Sequence, residues 1–364
     1  MPVAEPSTLG GDGPLAAAPA AAVGVGPDET ERPLGTRVLA LAACLAVLLL
    51  ACAVSLAVGA RAIPLDVVWR TVTGSGDGSF DATVILDDRV PRTVAALAAG
   101  LGLGVAGALM QAVTRNPLAD PGILGVTSGS AFAIALGIAL GGVVSPSTYL
   151  WLAFLGALTA TVVVYLIGAV HRGSVSIARL TLAGVALAAL LNGVTSGLVL
   201  TNPRSFDALR AWQAGSLKDR GWEVVAPAAP WIVAGAVVAL LLGRALNAVA
   251  LGDDLAASLG ARVLRTRTIA VVAVTLLAGG ATAIAGPVTF IGLMVPHVAR
   301  RISGPDQRWI MAFTVLLGPV LLVTADIVGR LLLPVGEIPA GIVTAFIGAP
   351  VLVFLVRRYR MAAL

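Results

Sequence analysis

Residues 89–130 read RVPRTVAALAAGLGLGVAGALMQAVTRNPLADPGILGVTSGS, and their order decides how the chain is built. Two arginines flank Pro91, and a membrane-length apolar run carrying Gly100, Gly102, Gly104 and Gly107 follows, ending at Arg115-Asn116-Pro117. A second glycine-rich apolar run starts at Gly122. This predicts a helix descending, a structured turn, and a helix returning. Gly100 and Gly104 stand four residues apart, so they clear side chains from one helix face and let a neighbouring backbone come close, which is how helices associate in lipid. A packed, polytopic interior follows from that.

Composition points the same way. Of 364 residues, 58% are hydrophobic and 12% charged, and the mean hydropathy of +0.97 lies far outside the range of soluble domains. A spanning helix needs roughly 20 apolar residues, and segments of that length rich in Leu, Ala, Val and Gly predict helices and not barrel strands. The expected fold is therefore an all-α integral membrane protein with about ten transmembrane helices. They are placed at 37–60, 93–113, 122–144, 149–170, 180–200, 228–250, 268–285, 288–300, 309–333 and 338–356. Residues 1–36, rich in Ala, Pro and Gly and acidic at Glu5, Asp12, Asp28, Glu29 and Glu31, are predicted to be a disordered cytoplasmic tail ahead of a transmembrane domain over 37–364. They lack the basic start and early apolar run of a signal peptide. Most of the 24 basic residues fall on the side of the N-terminus when the spans alternate, so the positive-inside rule puts that end in the cytoplasm of a multi-pass bacterial plasma-membrane protein. The sequence pI near 10 is then a topology signal, and nothing suggests nucleic acid.

The available chemistry is narrow. Lys218 is the only lysine, and Leu217 precedes it where a phosphate-binding loop requires glycine. Asp326 is the one carboxylate well inside a predicted span, with Arg330 one turn on as its expected partner. His171 and His297 fall in separate loops away from any cysteine, which argues against a metal site. Cys44 and Cys52 lie two turns apart in one span, too far to bridge, and read as small packed hydrophobes. No cofactor is implied, and no nucleophile or acid–base constellation suggests an enzyme.

A membrane pathway driven from outside the chain fits what is left, with an ion-gradient-driven secondary transporter as the rival class. Residues 251–267, LGDDLAASLGARVLRTR, are where a motor would attach. Leu251, Leu255 and Leu259 form one apolar stripe, Asp253 suits a helix cap with Asp254 in the first turn, and Gly260 closes the helix. The pattern reads either as a docking helix of about two turns or as an interfacial helix lying on lipid.

Four stretches carry a resemblance: 89–129, LGDDLAASLGARV at 251–263, AGPVTFIGLMVPHVARRISGPD at 285–306, and ADIVGRLLLPVGEIPAGIVTAFIGAPVLVFLVRR at 325–358. They resemble the permease subunits of bacterial iron-siderophore and cobalamin ABC importers, the FecCD-type permeases. The likeness runs from about Arg61 to Arg358 and omits the acidic tail. It implies the ten-helix permease fold of type II ABC importers, paired with a second permease subunit that is a copy or a paralogue. Two cytoplasmic ATP-binding subunits would dock beneath, and an extracytoplasmic binding protein would deliver an iron-siderophore complex, or, alternatively, cobalamin or haem.

Residue by residue, segment 251–263 looks like the family's coupling helix, which gives Leu251, Asp253, Asp254, Leu255, Leu259, Gly260 and Arg262 to ATPase docking. Arg89, Arg92 and Arg330 match positions whose exposed guanidiniums receive carboxylates of the binding protein. Asn116, Pro117 and Pro121 look like an inner loop that shapes the gate, since each residue before a proline is biased away from helix and Asn116 can bond its own backbone. By resemblance the second, fifth and tenth spans line the pathway. Met110, Gln111, Asn192 and Thr195 are the lining candidates, on walls with few charges for a bulky chelate.

Overall fold

Residues 33–59, 61–74, 78–142, 145–169 and 177–362 are described by the computed structural model. Nearly all of the expected tail, and His171, lie outside the described residues. The helices are α1 (Leu34–Ala57), α2 (Leu65–Val72), α3 (Phe80–Thr83), α4 (Val90–Thr114), α5 (Val126–Gly141), α6 (Pro146–Ala169) and α7 (Ile177–Thr201). They continue with α8 (Pro203–Gln213), α9 (Trp222–Ala250), α10 (Asp253–Ser258), α11 (Val263–Ala285), α12 (Ile291–Ser303), α13 (Gln307–Leu331) and α14 (Ala340–Ala362). No strand occurs among the described residues.

Seven of these helices, α1, α4, α6, α7, α9, α11 and α13, are long and apolar enough to cross a membrane. The other three predicted spans are occupied by α5 and α12, which are shorter, and by α14. Each predicted span thus meets a helix, with ends displaced by a few residues; α1, for instance, begins at Leu34, inside the stretch expected to be tail.

The bundle is organised around α4, which packs on α13, α11, α9 and α12. Its glycines make those approaches possible. A methyl group on Gly100 would strike the backbone of Gly318 and Pro319 in α13, and Gly104 lies on the same face against Thr314 and Gly318. Gly102 meets the Leu277 carbonyl of α11, and Gly107 meets the backbone of Gly292 in α12. Without side chains in the way, main chains come into van der Waals contact, which replaces the hydrophobic drive that lipid cannot supply.

Gly107 lies seven residues before the last residue of α4, or about 10 Å along a helix axis. Helix α12 therefore begins inside the layer that α4 crosses. The non-helical link from Gly286 to Phe290 that leads into it is tolerated at such depth because protein surrounds it. Gly286 (φ 73°) and Phe290 (φ 70°) make the turns.

Between α12 and α13, Asp306 ties two inner helix ends together. Its Oδ1 accepts the Arg308 backbone N–H at 3.0 Å, capping α13, and the Asn247 amide at 2.8 Å from the end of α9. Asn247 returns the bond by accepting the Gln307 N–H at 2.8 Å. Burial pushes the Asp306 carboxyl up, but the hydrogen bonds from Arg308 and Asn247 outweigh it and hold the group down at about 2.

A depressed carboxyl pKa stabilises the fold fully above the unfolded value near 3.8 and loses that contribution as pH falls towards 2. Thermal melts in detergent should accordingly show Asp306→Asn less stable than the parent at neutral pH, with the gap closing between about pH 4 and pH 2. A gap that does not change with pH would remove the charge from this account. Gly107→Ala should lower stability by about 1–3 kcal/mol through overpacking against Gly292, whereas Gly35→Ala, at a position with open space around it, should leave it unchanged.

Candidate functional site

Helix α10, between α9 and α11, is six residues long and only Ala256 of it is buried. Leu251, Leu255 and Leu259 are 59%, 50% and 64% exposed, so the apolar stripe faces out of the protein. Asp254 and Arg262 are exposed beside it. Gly260 (φ 81°) ends the helix: its N–H reaches the Ala257 carbonyl and the Ala261 N–H reaches the Ala256 carbonyl, both at 2.9 Å. That double closure needs a left-handed residue, which is glycine's role.

The expected cap at Asp253 is corrected. Gly252 (φ 107°) holds the cap position and makes no side-chain cap bond. Asp253 instead accepts both terminal nitrogens of Arg267 in α11, each at 2.9 Å, and lies 3.2 Å from Arg115 at the end of α4. The bidentate fork to a guanidinium is stronger than a lone cap bond.

The inner loop starts at Arg115, whose left-handed backbone (φ 52°) stops α4. Asn116 Oδ1 accepts the Leu118 N–H at 2.9 Å, the local bond expected of it. Asp120 Oδ1 accepts the Gly122 N–H at 2.7 Å and caps a short 3-10 turn, Pro121–Leu124, that leads into α5. Pro121 is buried and lies against Gly292. A cavity of about 70 Å³ separates this loop from the link before α12, lined by Asp120, Thr127, Thr282 and Thr289 among others.

At the outer end the structure overturns the expectation of exposed arginines. Arg89, Arg92 and Arg330 are 4%, 6% and 6% exposed. Arg89 donates to the carbonyls of Leu56 and Arg61 at 2.7 and 2.5 Å. Arg330 donates to the carbonyls of Ser55 and Val58 at 3.0 and 2.9 Å and pairs with Asp326 at 2.9 Å. The two side chains satisfy carbonyls that the end of α1 leaves without helical partners.

Arg92 meets Asp326 Oδ1 at 2.8 Å and Glu337 Oε2 at 2.7 Å. Burial raises the Glu337 carboxyl, but the hydrogen bond and charge of Arg92 outweigh it and hold the group below the usual range. The Asp326–Arg330 pairing expected from sequence is present; Arg92, Ser55 and Glu337 are the partners the sequence did not reveal. Nothing periodic links residues so far apart in the chain.

The lining candidates separate. Met110 and Gln111 are buried within the protein: Gln111 donates Nε2–H to the Gly292 and Leu293 carbonyls of α12 at 3.2 and 3.3 Å, and Met110 borders a small cavity with Ile123, Leu124, Leu180 and Val271. Asn192 is exposed on α7. Thr195 is buried there, with no hydrogen-bond partner for its hydroxyl among the described residues. A groove of about 600 Å³ between α5, α6 and α7 is lined by Phe132, Leu136, Leu155 and Leu191 with little polar surface, so it suits hydrocarbon and not a charged ligand. No cluster of three or more potential metal ligands occurs among the described residues.

The sequence profile of the FecCD transport family matches residues 47–358. The chain belongs to that family. It is 53% identical over 324 residues to the ferric enterobactin transport system permease protein FepD of Escherichia coli K12, covering 89% of this chain and 96% of the relative. It is 39% identical to the probable siderophore transport system permease protein YfiZ of Bacillus subtilis 168, over 80% of this chain and 88% of the relative. In three dimensions it matches a metal-chelate type ABC transporter solved in an inward-facing conformation, with a TM-score of 0.78, 28% identity, and coverage of 88% of this chain and 99% of the other. It is a multi-pass membrane protein of the permease kind, and the all-α expectation stands.

Asp326 holds two buried arginines at once, and removing one partner of such a set leaves charge uncompensated. Asp326→Ala should cost about 3–5 kcal/mol in detergent-solubilised protein. An unchanged melting temperature would show that the arginines do not depend on it.

Proposed function

We propose that this chain is the membrane-spanning permease subunit of an ATP-binding-cassette importer and forms the pathway for an iron-siderophore complex. The observation that carries the reading is the 53% identity to a ferric enterobactin permease along 89% of the chain. The exposed leucines on and beside α10, Leu251, Leu255 and Leu259, support a helper at the inner face.

On this reading Leu251, Leu255 and Leu259 seat in a groove of a cytoplasmic ATP-binding subunit, one beneath each permease. Asp254 and Arg262 form the polar rim, and Gly252 and Gly260 set the helix at its angle. A second permease subunit packs along α7, where Gly193 and Gly197 face open space on one side of a helix that is largely unburied. Asn192, exposed on that helix, then faces the shared pathway, while Thr195 packs inside the chain behind it.

An extracytoplasmic binding protein docks on the outer face. Since Arg89, Arg92 and Arg330 are occupied internally, its carboxylates would address exposed cations such as Arg204 and Arg210 on α8, with Lys218 beyond it. Exposed charges of this kind steer association over a Debye length of about 8–10 Å.

The reading is tested with Leu255→Asp combined with Leu259→Asp. Both side chains are exposed, so the permease should melt as before, while the ATP-binding subunits that co-purify should fall by about tenfold or more, as expected for central apolar contacts. Undiminished co-purification would refute the docking role. Uptake into vesicles driven by an ion gradient, with no ATP-binding subunit present, would refute the importer assignment.

A further inference from the structure

Asp253 sits where three elements converge. It is the first residue of α10, it receives the fork of Arg267 from α11, and it faces Arg115, the residue at which α4 stops and the inner loop begins. The guanidinium of Arg115 also lies across Gly252, 3.6 Å from where a β-carbon would be.

The two halves of this junction are unlike. The Arg267 side chain is 6% exposed and gripped in two places, so that half is fixed. The Arg115 side chain is 40% exposed and makes one ion pair, at 3.2 Å, from a left-handed backbone. Such a pair is weak as a source of stability. It is well suited to being drawn and released.

From Arg115 the chain runs through Asn116 and Asp120 to Pro121, which lies against the first turn of α12. That turn is also held by Gln111 of α4. A push on α10 therefore has a continuous route of bonded and packed groups to the two short helices that start within the membrane layer, α5 and α12.

We propose that Arg115 and Asp253 are a positioning pair that transmits displacement of α10 to the inner loop 115–125, with Arg267 as the fixed anchor. The pair touches no transported molecule. It acts by making α10 and the loop move together, which gives a physical element that both sites bias. The inference rests on the reading of α10 as the ATPase-docking helix.

The test uses the complete importer in lipid vesicles and compares Arg115→Gln with Arg115→Lys. Both carry the same left-handed backbone strain, so their difference isolates the charge. In Arg115→Gln the ATP-binding subunits should remain bound and hydrolyse ATP, while the ferric chelate moved per ATP falls about fivefold or more, the size of a modest coupling between sites. Arg115→Lys should restore most of the ratio. A Gln variant that transports at the parental ratio, or a Lys variant no better than Gln, overturns the proposal. Loss of the ATP-binding subunits from Arg115→Gln also overturns it, because the pair would then be supporting docking and not transmission. Failure of the docking reading itself would show separately, as subunits that stay bound when Leu255 and Leu259 are made acidic.

Discussion

Everything in this bundle depends on how closely main chains approach α4. In lipid there is no gain from moving an apolar side chain from solvent to protein, so helices hold together through contact area and hydrogen bonds. Four glycines on α4 face three different helices, and each accepts a backbone where a side chain would stand. The contact is available only at a narrow set of rotations and heights, because one extra carbon at Gly107 already overlaps Gly292. Helix α4 is thereby locked as the axis of the bundle, and whatever sits at its two ends is placed with the same precision.

At the outer end that precision is applied to charge. Three guanidiniums and the Asp326 carboxylate leave water together, a cost recovered only when nearly every donor finds an acceptor. Asp326 and Glu337 supply two carboxylates, and the end of α1 supplies carbonyls that its own helix cannot satisfy. The arrangement solves two problems at once: α1, which is otherwise little buried, is fastened to the bundle, and the arginines are neutralised without a partner protein. A surface arginine could not do this, since exposed pairs contribute about 0–1 kcal/mol.

Much of this was legible in the sequence, and the limits have physical causes. Apolar length fixed the spans, and glycine spacing singled out α4. Leucine spacing with Gly260 identified α10, because these signals are local and repeat within one helix. Direction was not legible. A helix that is apolar on every side has no face that sequence can orient, so nothing in the sequence showed that Met110 and Gln111 are buried within the chain, with Gln111 bonded to α12. Partners across the chain were not legible either. Asp253 at the start of a short helix has the local look of a cap, and only the fold shows that Arg267, about one turn into α11, takes both of its oxygens. The exposure expected of Arg89, Arg92 and Arg330 was misjudged for the same reason: position at a helix end suggests exposure, and burial came from α1 and the 331–337 turn folding over them.

The same contrast between locked and loose parts indicates where motion is permitted. Glycine contacts bind α4 to α13 and α11 along the middle of the bundle, and interiors packed this way respond by switching and not by bending. Helix α10, by comparison, is held by one buried alanine, a closing turn and the carboxylate of Asp253. Helices α5 and α12 begin part-way through the layer, on loops that border a cavity lined by Asp120, Thr127, Thr282 and Thr289 together with Leu103, Val126 and Val288. Helix α10 thus lies between a rigid axis on one side and short, shallowly rooted helices on the other. The chain is therefore least constrained around α10 and the loop 115–125, and most constrained along α4 and around Asp326, where glycine contacts and paired charges leave one arrangement.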